Sequence, residues 1–207
     1  GSATATGAAP PQGGDFSEPA TQNPKRYVRT FGGLDRSLAY SRHFPSINWL
    51  TSYSEYISDL KPWYDAHVSP KFMADRQRIF TLLQEEDQLM EIVKLIGSDV
   101  LPEDQKLTLE TARLVRVGFL QQNAYNIIDT YVPLEKQFRM MEVILELYDG
   151  SKKLLERAIP FSQIKATGIF DTLSKIKYEV PNDDLSRFDG YSADVAKALR
   201  QVDEANQ

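Results

Sequence analysis

The sequence predicts a mainly α fold, a C-terminal helical bundle behind a short N-terminal segment that carries strands. Three observations support this. Beyond Trp49, apolar residues recur at helical spacing, whereas the residues before it show short apolar/polar alternation broken by Gly and Pro. Pro70, Pro102 and Pro133 each precede a long periodic stretch, where a missing N–H costs a helix little. The 207 residues, 42% hydrophobic and 26% charged, suit a globular chain long enough to bury a substantial core.

Taken in order, residues 2–9 alternate small and β-branched side chains, a strand pattern, and residues 10–24 are rich in Pro with a Gly-Gly pair, hence loop. Residues 25–31 form a second strand candidate, with Tyr27, Val28, Arg29, Thr30 and Phe31 alternating; residues 35–40 form a short helix candidate. In residues 41–49, Pro45 disfavours the helical region for Phe44 and fixes that aromatic in a loop. Residues 54–60 and 62–67 read as two short helices. Pro70 opens a long helix with Phe72, Ile79, Leu82, Leu83 and Ile96 among its apolar positions, and Gly97 ends it.

The next helix starts at Pro102 with acidic Glu103 and Asp104 in its first turn, which suits the helix dipole. Leu107, Leu109, Ala112, Leu114, Val115 and Val117 supply its expected buried stripe. Behind Pro133, a third long helix turns Phe138, Met141, Val143, Ile144 and Leu147 inward. Residues 161–176 break into two short helices around Gly168, and Tyr191 begins a final amphipathic helix through Val195, Ala198, Leu199 and Val202. The expected organisation is therefore residues 1–50, strand-bearing, and residues 51–207, helical. Two strands alone are marginal in water, so the first segment must lean on the bundle or on a larger sheet.

A net charge of −5, with both signs interspersed, argues against a nucleic-acid surface. The absence of Cys excludes disulfides and thiolate metal sites. No apolar run approaches the ~18 residues of a membrane span, and the N-terminus lacks the basic and apolar regions of a signal peptide. The expectation is a cytoplasmic protein without direct membrane insertion. Its Gly1-Ser2 start reads as a tag remnant or as the interior of a longer protein.

Two aromatics stand out as candidate ligand contacts. Phe44 is held by Pro45, and Tyr125 ends the polar run Gln121-Gln122-Asn123-Ala124-Tyr125 that follows a helix. Two such rings could sandwich a purine. The alternative for the polar run is a helix terminus whose amides satisfy loop carbonyls. No GxxxxGK[ST] loop occurs, so nothing in this sequence cradles a triphosphate. Other candidates point to structure. His43 and His67 lie far apart and lack further ligands at metal-site spacing. Glu85-Glu86-Asp87 reads as a solvated helix face, and Ser17, Ser37 and Ser41 have no His/Asp partners for nucleophilic chemistry. Glu18 reads first as loop structure, then as a nucleotide-proximal contact.

The blocks Gly13-Gly14-Asp15-Phe16-Ser17-Glu18-Pro19, Leu34-Asp35, Ser37-Leu38-Ala39, Arg42-His43-Phe44-Pro45, Ile47-Asn48-Trp49 and Phe119-Leu120-Gln121-Gln122-Asn123-Ala124 occur in one order. In that order they resemble the C-terminal part of the catalytic A subunit of V-type and archaeal A-type rotary ATPases, over most of the chain and thinning after Pro160. The resemblance implies that residues 1–50 are the end of a P-loop NTPase α/β sheet and residues 51–207 the C-terminal helical domain. It places Phe44 and Tyr125 on the walls of the adenine pocket, with Pro45, Gln122 and Asn123 as neighbours, and assigns no catalytic residue and no metal ligand here.

In such an enzyme ATP or ADP with Mg is the ligand, bound tightly only with upstream phosphate-binding parts. B subunits and the central rotor stalk are the partners, and the position is the head on the cytoplasmic face of a membrane. The chain departs from the family where Tyr125 replaces Phe, where Gly32-Gly33 replaces a bulkier pair near the sheet end, at Pro24-Lys25, and at Val132-Pro133. A free-standing helical scaffold without catalysis is the alternative reading.

Overall fold

The computed structural model describes residues 3–8 and 26–207. Residues 3–8 are exposed and lack regular secondary structure, so the strand expected at 2–9 does not form over its described part. The loop expected at 10–24, Glu18 included, lies outside the described residues. Regular structure begins with β1 (Thr30–Leu34), later than the alternation suggests, and continues through α1 (Arg36–Tyr40) to β2 (Ile47–Ser54). The two strands pair antiparallel as a sheet of their own.

The partner of β1 is thus not the N-terminal stretch but a segment whose local signals read as loop up to Trp49 and as helix from Ser54. In β2, Ile47, Trp49, Thr51 and Tyr53 alternate along a strand-favouring run. Register passes from Gly33↔Asn48 to Phe31↔Tyr53, so residues 49–52 bulge opposite Gly32 alone. The bulge presses Trp49 and Leu50 onto the helical core. Gly33 makes room for it, since a Cβ there would stand 2.6 Å from Thr51 Oγ1. Of the Gly32-Gly33 pair, it is Gly33 that is fitted to this strand.

The helices follow in order: α2 (Ile57–His67), α3 (Phe72–Ile96), α4 (Glu103–Leu114) running into a π-helical turn (Val115–Leu120), α5 (Ile127–Thr130), α6 (Leu134–Glu156), α7 (Phe161–Ala166), α8 (Ile169–Leu173), α9 (Ile176–Glu179) and α10 (Arg187–Glu204). Where the sequence suggests two short helices, α2 runs unbroken through Pro62. The one helix bond lost there falls on a helix with no buried residue. Gly97 at φ 83° ends α3, and Gly168 at φ 75° separates α7 from α8, both as expected from glycine's tolerance of positive φ. The last helix starts at Arg187 rather than Tyr191, because Phe188 is already in the core.

The centre of the bundle is α6, packed against α10, α4 and α3. Two readings of helix faces need correction. Glu86 is not solvated but buried, and Arg116 pairs with it at 2.8 Å. Val117 is exposed rather than inward, because the π turn widens the helix after Leu114 and rotates the stripe beyond it.

Candidate functional site

The first half of the site is the turn after α1. Asp35 caps that helix: its Oδ1 accepts from the Ser37 N–H at 2.7 Å and the Ser37 hydroxyl at 2.6 Å, while Oδ2 accepts from Asn48 Nδ2 at 2.9 Å. These bonds hold the Asp35 carboxyl below the usual carboxylate range. The His43 N–H then donates to the Leu38 carbonyl at 2.8 Å, and the His43 ring is buried, tilted against Trp49 at 5.4 Å. Burial pushes its pKa down, and the charges of Arg116 and Lys177 add to that. The Phe44–Pro45 peptide bond is cis. With His43 turned inward, Phe44 is left 51% exposed on the surface.

The second half is the loop between the π turn and α6. The Gln122 N–H donates to the Phe44 carbonyl at 2.6 Å, and Gln121 Nε2 to the Arg42 carbonyl at 3.2 Å. Segments 79 residues apart in sequence are thereby stitched together. Further along, the Asn123 N–H donates to Asp129 Oδ2 at 2.6 Å, and Asn123 Oδ1 accepts from the Tyr125 N–H at 3.0 Å. The Asn123 side chain is thus engaged in holding its own turn. Asn126 caps α5 through the N–H groups of Ile128 and Asp129. Tyr125 projects from this braced loop fully exposed, at 100%, and makes no ring contact with Phe44 among the described residues. Phe44 and Gln122 therefore touch directly, while Pro45, Asn123 and Tyr125 share the same two loops.

Sequence reasoning missed the groups beneath that loop. Lys177 and Asp129 are both about 1% exposed, with Nζ 3.9 Å from Oδ2, and Lys177 Nζ also donates to the Gln121 carbonyl. Burial lowers the Lys177 pKa, and Asp129 opposes that shift. Lys136, equally buried, donates to the carbonyls of Lys177 at 2.9 Å and Val180 at 2.6 Å, and to Asn182 Oδ1 at 2.9 Å. Asn182 Nδ2 donates in turn to the Ile128 and Tyr131 carbonyls, each at 2.8 Å. No pattern of spacing could have flagged two lysines whose partners are mostly backbone carbonyls. Among the described residues no group of His, Asp and Glu is arranged to hold a metal ion. A groove of about 510 Å³ opens elsewhere, between α3, α4 and α7, and is lined by residues of the Glu86–Arg116 and Glu110–Lys165 ion pairs.

The segments that carry both halves match known families. The profile of the C-terminal domain of V and A type ATP synthase matches residues 61–165, just over half of the 207 residues. The chain belongs to that family. Residues 1–54 match the nucleotide-binding domain of the ATP synthase alpha/beta family. Relatives include the V-type ATP synthase alpha chain 2 of Clostridium tetani, 54% identical over 90% of this chain and 31% of the relative. The V-type ATP synthase alpha chain of Halothermothrix orenii is 46% identical over 100% of this chain and 35% of its own length. The corresponding A-type ATP synthase chain of Methanosarcina mazei is 49% identical over 86% of this chain and 31% of its own. The chain thus spans about a third of the length of these three relatives. No helix of the described residues is long and apolar enough to cross a membrane.

Proposed function

We propose that this chain is the C-terminal part of the nucleotide-binding A subunit of a V/A-type rotary ATP synthase, where it walls the adenine pocket and transmits motion. Residues 1–50 belong to the nucleotide-binding domain and residues 51–207 to the coupling bundle. Phe44 and Tyr125 stack on the adenine ring, with Pro45, Gln122 and Asn123 around its edge. The phosphates of ATP or ADP, with Mg, are held by parts of the enzyme outside this chain, so the chain alone hydrolyses no ATP. B subunits flank it in the head, on the cytoplasmic side of the membrane, and the central rotor stalk receives its movement.

The observation that carries this reading is the bond from the Gln122 N–H to the Phe44 carbonyl, which fuses the two aromatic loops into one surface. A half-exposed Phe44 and a fully exposed Tyr125 have faces free for a flat ligand. In the full-length protein, Phe44→Ala should weaken ATP binding by ~1–3 kcal/mol, the scale of one base–aromatic stack. Tyr125→Phe should keep the affinity, because stacking needs the ring and not the hydroxyl. Calorimetric titration checks both, and unchanged affinity in a folded Phe44→Ala protein removes the ring from the pocket.

A further inference from the structure

Nothing about Tyr125 explains why its loop should hold one position. The ring makes no protein contact, α5 is a single turn, and Asn123 and Tyr125 are exposed. What fixes the loop lies behind it. Lys177 on α9 reaches the Gln121 carbonyl at the loop's start and pairs with Asp129, whose Oδ2 receives the Asn123 N–H in its middle. Asn182 takes the Ile128 and Tyr131 carbonyls at its end. Lys136 on α6 braces both Lys177 and Asn182 from below. One buried cation thus meets the loop both at the residue before Gln122, which holds Phe44, and at the carboxylate that anchors Asn123. A buried lysine is costly unless its donors are taken up. A fold needing only to close this corner could do so with an apolar residue, as it does with Ile176 next to it.

We propose that Lys177 is a positioning residue for base recognition: through the Gln121 carbonyl and Asp129 it holds the Gln122–Tyr125 arc in register with Phe44, so that both rings meet the base at once. This rests on the adenine reading above. Lys177 itself touches no nucleotide. Its effect should fall on the contribution of the base and leave that of the phosphates unchanged, because the phosphates are bound elsewhere.

The test uses the full-length protein, measuring affinity for ATP and for inorganic tripolyphosphate, their ratio being the gain from the nucleoside. Phe44→Ala, which removes one wall, sets the scale, a loss of this ratio on the order of tenfold. Lys177→Met removes the amine but keeps the stem, and strands Asp129 as a buried unpaired charge. Lys177→Met/Asp129→Asn removes both charges, leaves an oxygen for the Asn123 N–H, and should recover most of the thermal stability. The expected result is that this double variant melts near wild type yet loses the ATP-over-tripolyphosphate ratio by roughly fivefold, with tripolyphosphate affinity unchanged, because the Gln121 carbonyl still lacks its donor. A wild-type ratio in the double variant, while Phe44→Ala lowers it, overturns the role of Lys177 and leaves the adenine wall standing. A wild-type ratio in Phe44→Ala itself removes the wall, and the positioning role falls with it.

Discussion

At the scale of single residues, His43 shows how a block can be readable in sequence while its physics is not. That Phe44 would be fixed in a loop follows from Pro45 alone, and that Asp35 would start a helix follows from local capping chemistry. That His43 would turn inward against Trp49, with Arg116 and Lys177 near enough to disfavour its charge, depends on elements far away in the chain. The same holds for Lys177, since lysine is so rarely buried that nothing in its neighbourhood of sequence could suggest it. The lowered pKa of His43 has a signed consequence. Below the ordinary histidine pKa of 6.5 the unfolded chain takes up a proton that the folded His43 resists, so folding stability falls as pH drops from about 7 toward 5. His43→Phe keeps a ring against Trp49 and cannot titrate. Its urea midpoint, compared with wild type at pH 7 and pH 5, should move in its own favour at the lower pH. An identical pH response in the two proteins would mean that His43 titrates as freely folded as unfolded.

At the scale of elements, the long helices are legible because caps, prolines and 3.6-residue periodicity agree with one another, as they do for α3, α4 and α6. The errors fall where one element is set by another. In β2, a strand appears where local signals read loop and helix, because β1 is there to pair with it. The π turn is invisible to an apolar count that assumes an even helix, and it turns Arg116 toward Glu86 on α3 while leaving Val117 outside. Burial raises the Glu86 pKa, and Arg116 works against that shift. Removing Arg116 should therefore cost more than removing the pair. Arg116→Met is expected to destabilise the chain by ~1–3 kcal/mol, below the cost of a fully buried pair because the Arg116 side chain is 34% exposed. Glu86→Gln/Arg116→Met should recover much of that loss in a urea double-mutant cycle. If the double variant is as unstable as the sum of its parts, the two helices are not coupled through this pair.

At the scale of the whole molecule, the α3–α4 hairpin separates two ends. One end carries the loops of Phe44 and Tyr125, and the other is the turn around Gly97. From Glu103 through Leu114 α4 covers roughly 18 Å at 1.5 Å per residue, and the π turn continues the path to Leu120. Along the outer half of α3 the core gives out while the side chains stay apolar. Leu95 is 84% and Val100 64% exposed, with Met90, Ile92 and Ile96 beside them in sequence. Periodicity alone places Ile96 in the core stripe, because it reports which residues are apolar but not where the partner helices end. The proposal that this chain drives a rotor stalk makes the exposed apolar tip, far from the loops of Phe44 and Tyr125, the surface expected to push on it. Leu95→Gln/Ile96→Gln/Val100→Gln should leave unfolding within ~0.5 kcal/mol of wild type, since these side chains bury little. ATP affinity should also be unchanged, the loops proposed to bind the base being at the opposite end. In the assembled enzyme in vesicles, ions moved per ATP hydrolysed should fall, because the head still turns over but its push slips. A wild-type ratio would assign the rotor contact to another face of the bundle and leave the exposed tip without a mechanical role.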